Sequence, residues 1–230
     1  MSIVYIVSAP SGSGKSTLVN ELFKMVRGLD FSISYTTRLP RGSEQNGKEY
    51  FFVSRKEFES MIAADEFLEH ATVFGNYYGT ARRFLREAEN RSNDLLLDID
   101  VQGASKIKDK IPEAVSIFIL PPDREKLEWR LRTRGLDSED VIRRRLDTAR
   151  REIENYSKYD YLLVNNVLEQ SADELRDIVL AERLKKKHGA DLSEEEKRLV
   201  ETAQACRLDQ ARERVQPILA SFNLQAVKGT

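Results

Sequence analysis

The residues best equipped for chemistry stand near the start of the chain. Ser8-Ala9-Pro10-Ser11-Gly12-Ser13-Gly14-Lys15-Ser16-Thr17 puts glycines, a lysine and several hydroxyls into one short loop. Backbone N–H groups of such a loop point inward at phosphate oxygens, and the N-terminal end of a following helix adds partial positive charge. In that arrangement Lys15 reaches the β- and γ-phosphates of a nucleoside triphosphate, and the Ser16 hydroxyl helps hold Mg²⁺. Ala9 stands where the pattern G-x-x-x-x-G-K-[ST] asks for glycine, so a Cβ sits at the loop entrance. The motif also requires a strand before the loop and a helix after it. The apolar run 3–7 and the helix-like segment 18–26 meet that requirement. The alternative, a turn that happens to carry glycines and a lysine, does not need this context.

A second group lies downstream. Ser34, Arg38, Arg41, Tyr50, Tyr77 and Tyr78 bring arginines and tyrosine hydroxyls into one stretch. Arginine grips phosphate with two parallel charge-assisted bonds, and tyrosine adds neutral donors. Taken singly, each could be a surface arginine or a core tyrosine; together they favour a second phosphate site. Asp98 ends an apolar run, where a carboxylate near phosphates can hold Mg²⁺ or its waters. Asp100 falls on the same strand face by the two-residue period. Either could instead be an ordinary strand-end carboxylate. Arg130, Arg132, Arg134, Arg143, Arg144 and Arg145 read in isolation as a solvated basic helix face.

The elements that must position these groups alternate. Runs 3–7, 94–99, Val115–Leu120 and Tyr161–Val164 read as strands buried on both faces, as in a parallel sheet. Helical patterns lie between them, at 106–110, 123–133 (closing near Gly135) and 138–156, predicting an α/β fold with crossover helices. Residues 31–81 break the rhythm. Segments 35–38, 49–53 and 67–71 read as short strands, Asn46-Gly47 as a turn, and Ser54-x-x-Glu57 as the cap of a helix carrying Phe58, Met61 and Ile62. Further on, Ser171-x-x-Glu174 is expected to cap a helix to about Lys187. Ser193-x-x-Glu196 is expected to cap another, to about Val215, that stops before Pro217.

With 230 residues, the chain suffices for one large domain with appendages. Hydrophobic residues at 40% and charged residues at 33% fit a well-solvated globular protein rather than a disordered one. A net charge of −1 gives no general pull towards nucleic acid or membrane. The one cysteine, Cys206, excludes an internal disulfide and points to a reducing compartment. With no membrane-length apolar run and no secretory pattern, a cytoplasmic enzyme is expected.

Several motifs then occur in order: Ser8-Ala9-Pro10-Ser11-Gly12, Tyr35-Thr36-Thr37-Arg38-x-Pro40-Arg41, Asn46-Gly47-Lys48-Glu49-Tyr50-x-Phe52-Val53, Gly75-Asn76-Tyr77-Tyr78-Gly79-Thr80, and Leu97-Asp98-Ile99-Asp100-x-Gln102-Gly103. In these, from about residue 3 to about residue 184, the chain resembles guanylate kinase. The resemblance accommodates Ala9, since family members can carry Ser-Ala-Pro-Ser-Gly there. It implies the reaction ATP + GMP ⇌ ADP + GDP with Mg²⁺, and dGMP as an expected second acceptor. It implies that Ser34, Arg38, Arg41, Tyr50 and Tyr78 bind the GMP phosphate. Glu69 and Thr80 would read the guanine with help from Asp100. ATP would lie on Ala9, Pro10, Ser11, Gly12, Ser13, Gly14, Lys15, Ser16 and Thr17. Arg134 and Arg145 match the lid arginines, Asn165 matches a position near the adenine, and Ser16 and Asp98 match the metal site. Asn166 replaces an aspartate frequent there. Catalysis would rest on Lys15, Arg38, Arg134 and Arg145, with no general base. The implied organisation is a core of 1–33 and 82–184 with a lid at about 130–150, a GMP-binding insertion at 34–81, and a helical extension at 185–230.

Three rivals share parts of this pattern. A scaffold module binding peptides in the same cleft would be expected to lose parts of the phosphate loop, yet Gly14, Lys15 and Ser16 are present. A kinase for another phosphorylated small molecule would not need Glu69 and Thr80 as a guanine reader. Nucleic-acid kinases gain no support from the near-neutral charge. The extension reads as a helical appendage packed on the core, with a homodimer contact as the alternative.

Overall fold

A computed structural model describes residues 2–73, 75–133, 138–186 and 192–225. The fold is α/β, with parallel strands and helices packed on both sides. The chain divides into two compact units, one of residues 1–7 and 28–115, the other of 8–27 and 116–230.

The first unit holds two sheets. Strands β1 (Val4–Ser8), β2 (Leu29–Ser32) and β7 (Asp94–Asp98) pair in parallel in the order β2-β7-β1. Leu95, Leu96 and Leu97 are fully buried, as a strand covered on both faces requires. The second sheet has the order β4-β3-β6-β5, built from β3 (Tyr35–Thr36), β4 (Phe51–Phe52), β5 (Phe67–Val73) and β6 (Asn76–Ala81). It covers α2 (Arg55–Ala63), whose Ser54 cap accepts from Glu57 N at 3.1 Å as expected. Phe58, Met61 and Phe67 make a small core there, with the Phe58 and Phe67 rings stacked at 4.4 Å. Tyr77 joins this core rather than the phosphate group of residues, because neighbours on a strand face opposite ways. Helices α3 (Arg82–Asn90) and α4 (Val101–Lys110) complete the unit. Strands β2 and β6 and helix α3 are elements the periodicity did not announce. Asp100 is a correction: β7 ends at Asp98, and Asp100 caps α4, accepting from Gly103 N at 2.8 Å. Its position follows helix capping rather than strand alternation.

The second unit pairs β8 (Val115–Leu120) with β9 (Tyr161–Val164) in parallel. Around them lie α1 (Lys15–Met25), α5 (Arg124–Thr133), α6 (Glu139–Ile153), α7 (Leu168–Lys186), α8 (Glu194–Ala205) and α9 (Leu208–Ser221). Ser171 does not cap α7; it lies one turn inside, and its hydroxyl donates to Val164 O at 3.1 Å. Ser193 does cap α8, with both halves of the capping box present. That helix does not run on to Val215. It stops because the backbone at Arg207 is extended and forms a bridge with Tyr161, so that Leu162 N donates to Cys206 O and Leu208 N to Asp160 O. Pro217 sits inside α9 instead of ending a helix, on an exposed position between buried Val215 and Ile218. The extension thus packs on its own unit and occupies the open edge of β9.

Candidate active site

The acceptor residues expected from the sequence all fall in the first unit. Glu69 is 5% exposed and accepts a hydrogen bond from Thr80 Oγ1 at 2.7 Å. A bulge makes that pair: Phe67 faces Ala81, Glu69 faces Thr80, and Leu68 is the extra residue. Without it the strand period would set Glu69 opposite Gly79. Burial pushes the Glu69 carboxyl above the usual range, against the opposing Thr80 bond. Gly103 gives the carboxylate room, since a Cβ there would lie 3.0 Å from Glu69 Oε2. Asp100 lies beside this pair and adds to the upward shift through its charge.

Of the residues expected at the acceptor phosphate, Tyr50 and Tyr78 gather at Arg38. Its guanidinium lies 5.3 Å from the Tyr50 ring centroid and 5.7 Å from that of Phe52, and it is bonded to Tyr78. The Tyr50 and Tyr78 rings meet edge-on at 5.9 Å. Thr36 Oγ1 accepts Arg38 N at 3.1 Å and donates to Tyr77 O at 2.9 Å, fixing the end of β3. Ser34 precedes β3 and its carbonyl accepts Phe51 N. Arg41 is exposed. Asp98 is half-buried at the end of β7.

The described residues expected to hold ATP fall in the second unit. Gly14 stands at the N-cap of α1 with φ 86°, a left-handed conformation that L side chains resist. A Cβ on it would lie 2.3 Å from Asn165 Nδ2. Asn165 is buried, and that amide donates to Ser13 O at 2.6 Å. The Arg130 guanidinium donates to Asn165 O at 2.9 Å and reaches Ser13 O at 3.4 Å. The loop is thus braced from β9 and α5. Lys15 begins α1, half-buried, with Ser16 and Thr17 exposed after it. Ala9 is half-buried, Pro10 and Ser13 are buried, and Ser13 N donates to Pro10 O at 3.1 Å. Helical phase sorts the α6 arginines: Arg145 is half-buried beside Leu146, while Arg143 and Arg144 are exposed. Arg134 and Gly135 lie outside the described residues.

Sequence reasoning missed Glu44, Thr36, Gly103 and Arg130 as residues that position others. Glu44 had a legible signal, as the acid between Arg41 and the Asn46-Gly47 turn. Arg130 had none, because its target is a backbone carbonyl distant in sequence.

The family model described as guanylate kinase matches residues 1–182. A guanylate kinase of Koribacter versatilis (strain Ellin345) is 59% identical over 222 residues, covering 95% of both chains. The guanylate kinase of Escherichia coli (strain K12) is 49% identical over 197 residues, covering 83% of this chain and 95% of its own. The crystal structure of guanylate kinase from Anaplasma phagocytophilum superposes with a TM-score of 0.67 at 37% identity, covering 79% of this chain and 86% of that one. On these matches the chain belongs to the guanylate kinase family, which phosphorylates GMP with ATP.

Proposed function

We propose that this chain performs ATP + GMP ⇌ ADP + GDP with the residue roles that follow. The observation that carries this reading is the buried Glu69–Thr80 pair. Guanine presents N1–H and N2–H side by side, and a carboxylate accepts both. The single Thr80 proton goes to Glu69 in the structure. When guanine bonds to the carboxylate, the hydroxyl turns to O6. Adenine offers an acceptor at N1, which would face Glu69 and leave buried polar groups unpaired.

Ser34, Arg38, Arg41, Tyr50 and Tyr78 hold the acceptor phosphate. None of the assigned residues is given to the ribose, so dGMP fits as a second acceptor. Lys15 and the loop N–H groups hold the ATP phosphates, and Arg134 and Arg145 neutralise charge on the moving phosphoryl group. Phosphoryl transfer needs alignment and charge neutralisation more than proton chemistry, so no general base is assigned. A lid at about 130–150 would exclude water, which otherwise accepts the phosphoryl group.

Ser16 and Asp98 are the residues that would hold Mg²⁺. A hydroxyl and a carboxylate are hard oxygen donors suited to it. An ion held by so few protein oxygens would be bound mainly through nucleotide phosphates and water. Held there by Ser16 and Asp98, Mg²⁺ would supply charge neutralisation for the phosphoryl group being transferred.

The near-neutral charge supports free nucleotides as substrates rather than nucleic acid. No described helix is long and apolar enough to cross a membrane. A coupled ADP-release assay with ATP, Mg²⁺ and each of GMP, dGMP, AMP, CMP and UMP tests the reading. Turnover confined to GMP and dGMP is expected. Folded protein that turns over none of them, or prefers AMP, would overturn it.

A further inference from the structure

We propose that Glu44 is a positioning residue for the acceptor phosphate, holding Arg38 and the 38–44 loop in the conformation that grips it. The inference rests on Arg38 and Arg41 being phosphate ligands. Glu44 meets Arg38 at two points: Nη2 donates to Oε1 at 2.9 Å, and Nη1 lies 2.9 Å from Oε2. The same carboxylate accepts Arg41 N at 2.7 Å, while Glu44 N donates to Arg41 O at 3.0 Å. One side chain therefore fixes the guanidinium of one phosphate ligand and the backbone of the other.

The pair is not an ordinary surface ion pair. The Arg38 and Glu44 side chains are only 10% and 23% exposed. Two-point geometry and partial burial are the conditions under which such a pair gains specificity as well as energy. Arg38 is further held by Nη1 donating to Leu39 O at 2.7 Å and by the flanking Tyr50 and Phe52 rings. A guanidinium has two forked edges. Glu44 takes the one between Nη1 and Nη2, and we assign the phosphate to the other, between Nε and Nη2. Glu44 also offsets one of the two arginine charges of the loop, which lowers the repulsion between Arg38 and Arg41.

Glu44→Gln and Glu44→Ala separate this role from two others. The amide keeps one acceptor for Arg41 N but loses the ion pair; alanine loses both. Calorimetric titration with GMP and with guanosine, on variants shown to be folded by circular dichroism, reads the phosphate contribution directly. GMP affinity should fall about 10- to 100-fold in alanine and less in glutamine, with guanosine affinity unchanged. The KM for ATP should stay within about twofold, since the donor groups are untouched.

Equal losses for GMP and guanosine would make Glu44 merely structural and overturn the proposal. Tighter GMP binding in the variants would also overturn it, by showing that the carboxylate competes with phosphate for Arg38. Unchanged GMP affinity would remove any role. Wild-type protein that binds guanosine no better than adenosine would overturn the functional reading itself. Wild type that binds GMP well beside indifferent Glu44 variants would overturn only the positioning role.

Discussion

Among the individual residues, burial acts on Glu69 and an arginine partner acts on Glu44, so pH is a probe of both. Burial raises the Glu69 carboxyl, so the folded protein binds that proton more tightly than the unfolded chain. Its contribution to stability is complete below the unfolded value and is lost as pH rises through the folded value. Glu69→Gln is neutral at every pH and keeps an acceptor for Thr80. We expect it to melt higher than wild type near neutral pH while its KM for GMP rises about 100-fold or more and that for ATP holds. Matched losses for both nucleotides would take Glu69 out of the base site. Glu44 has the opposite sign. Its bond to Arg38 holds the carboxyl below the usual range. That contribution is present above the unfolded value and disappears as pH falls through the folded one. The melting gap between wild type and Glu44→Gln should accordingly close on acidification. Lys15→Ala should cut kcat about 10²- to 10³-fold with an unaltered circular dichroism spectrum, because the lysine charge matters most as the phosphoryl group moves. Near-normal turnover would remove it from the chemistry.

At the element scale, the same local pattern can have different outcomes. Ser54-x-x-Glu57, Ser171-x-x-Glu174 and Ser193-x-x-Glu196 share one spacing. Ser54 and Ser193 cap helices, but Ser171 lies inside α7 because its hydroxyl has Val164 O within reach. Ser193→Ala should lower stability by about 1 kcal/mol without changing kinetics, read as a small shift in thermal melting. The phosphate loop depends on elements beyond its motif. Asn165 and Arg130 both reach Ser13 O, from β9 and α5. Asn165→Ala should raise the KM for ATP and leave GMP titration unchanged. A loss confined to GMP would contradict the brace.

At the scale of the whole molecule, the extension past the family match is part of the second unit's packing. Val215, Leu219 and Phe222 are buried, and Arg214 joins Glu174 and Leu162 O. Burial pushes the Cys206 thiol up to about 11. Thiol reagents near pH 8 should therefore label native protein slowly and denatured protein fast. Arg214→Ala should both lower the melting temperature and speed labelling, reporting release of the extension from β9. Rapid labelling of the wild type would show that the extension is not held there.

Legible along the chain were the ordered family motifs, the buried parallel strands and the caps at Ser54 and Ser193. Each is local: a glycine pattern, an unbroken apolar run, or a cap acting within a few residues. Tertiary structure decided the bulge that sets Glu69 against Thr80 and the core position of Tyr77, whereas the Asp100 cap is a local feature that the apolar run before it masked. Tertiary structure also decided the Asn165 and Arg130 brace and the break at Arg207. These depend on strand register, on helix phase, or on partners such as Ser13 and Asn165 that lie 152 residues apart. Local propensity carries no record of such partners, because the energy that selects them comes from burying polar groups against one another only once the chain is folded.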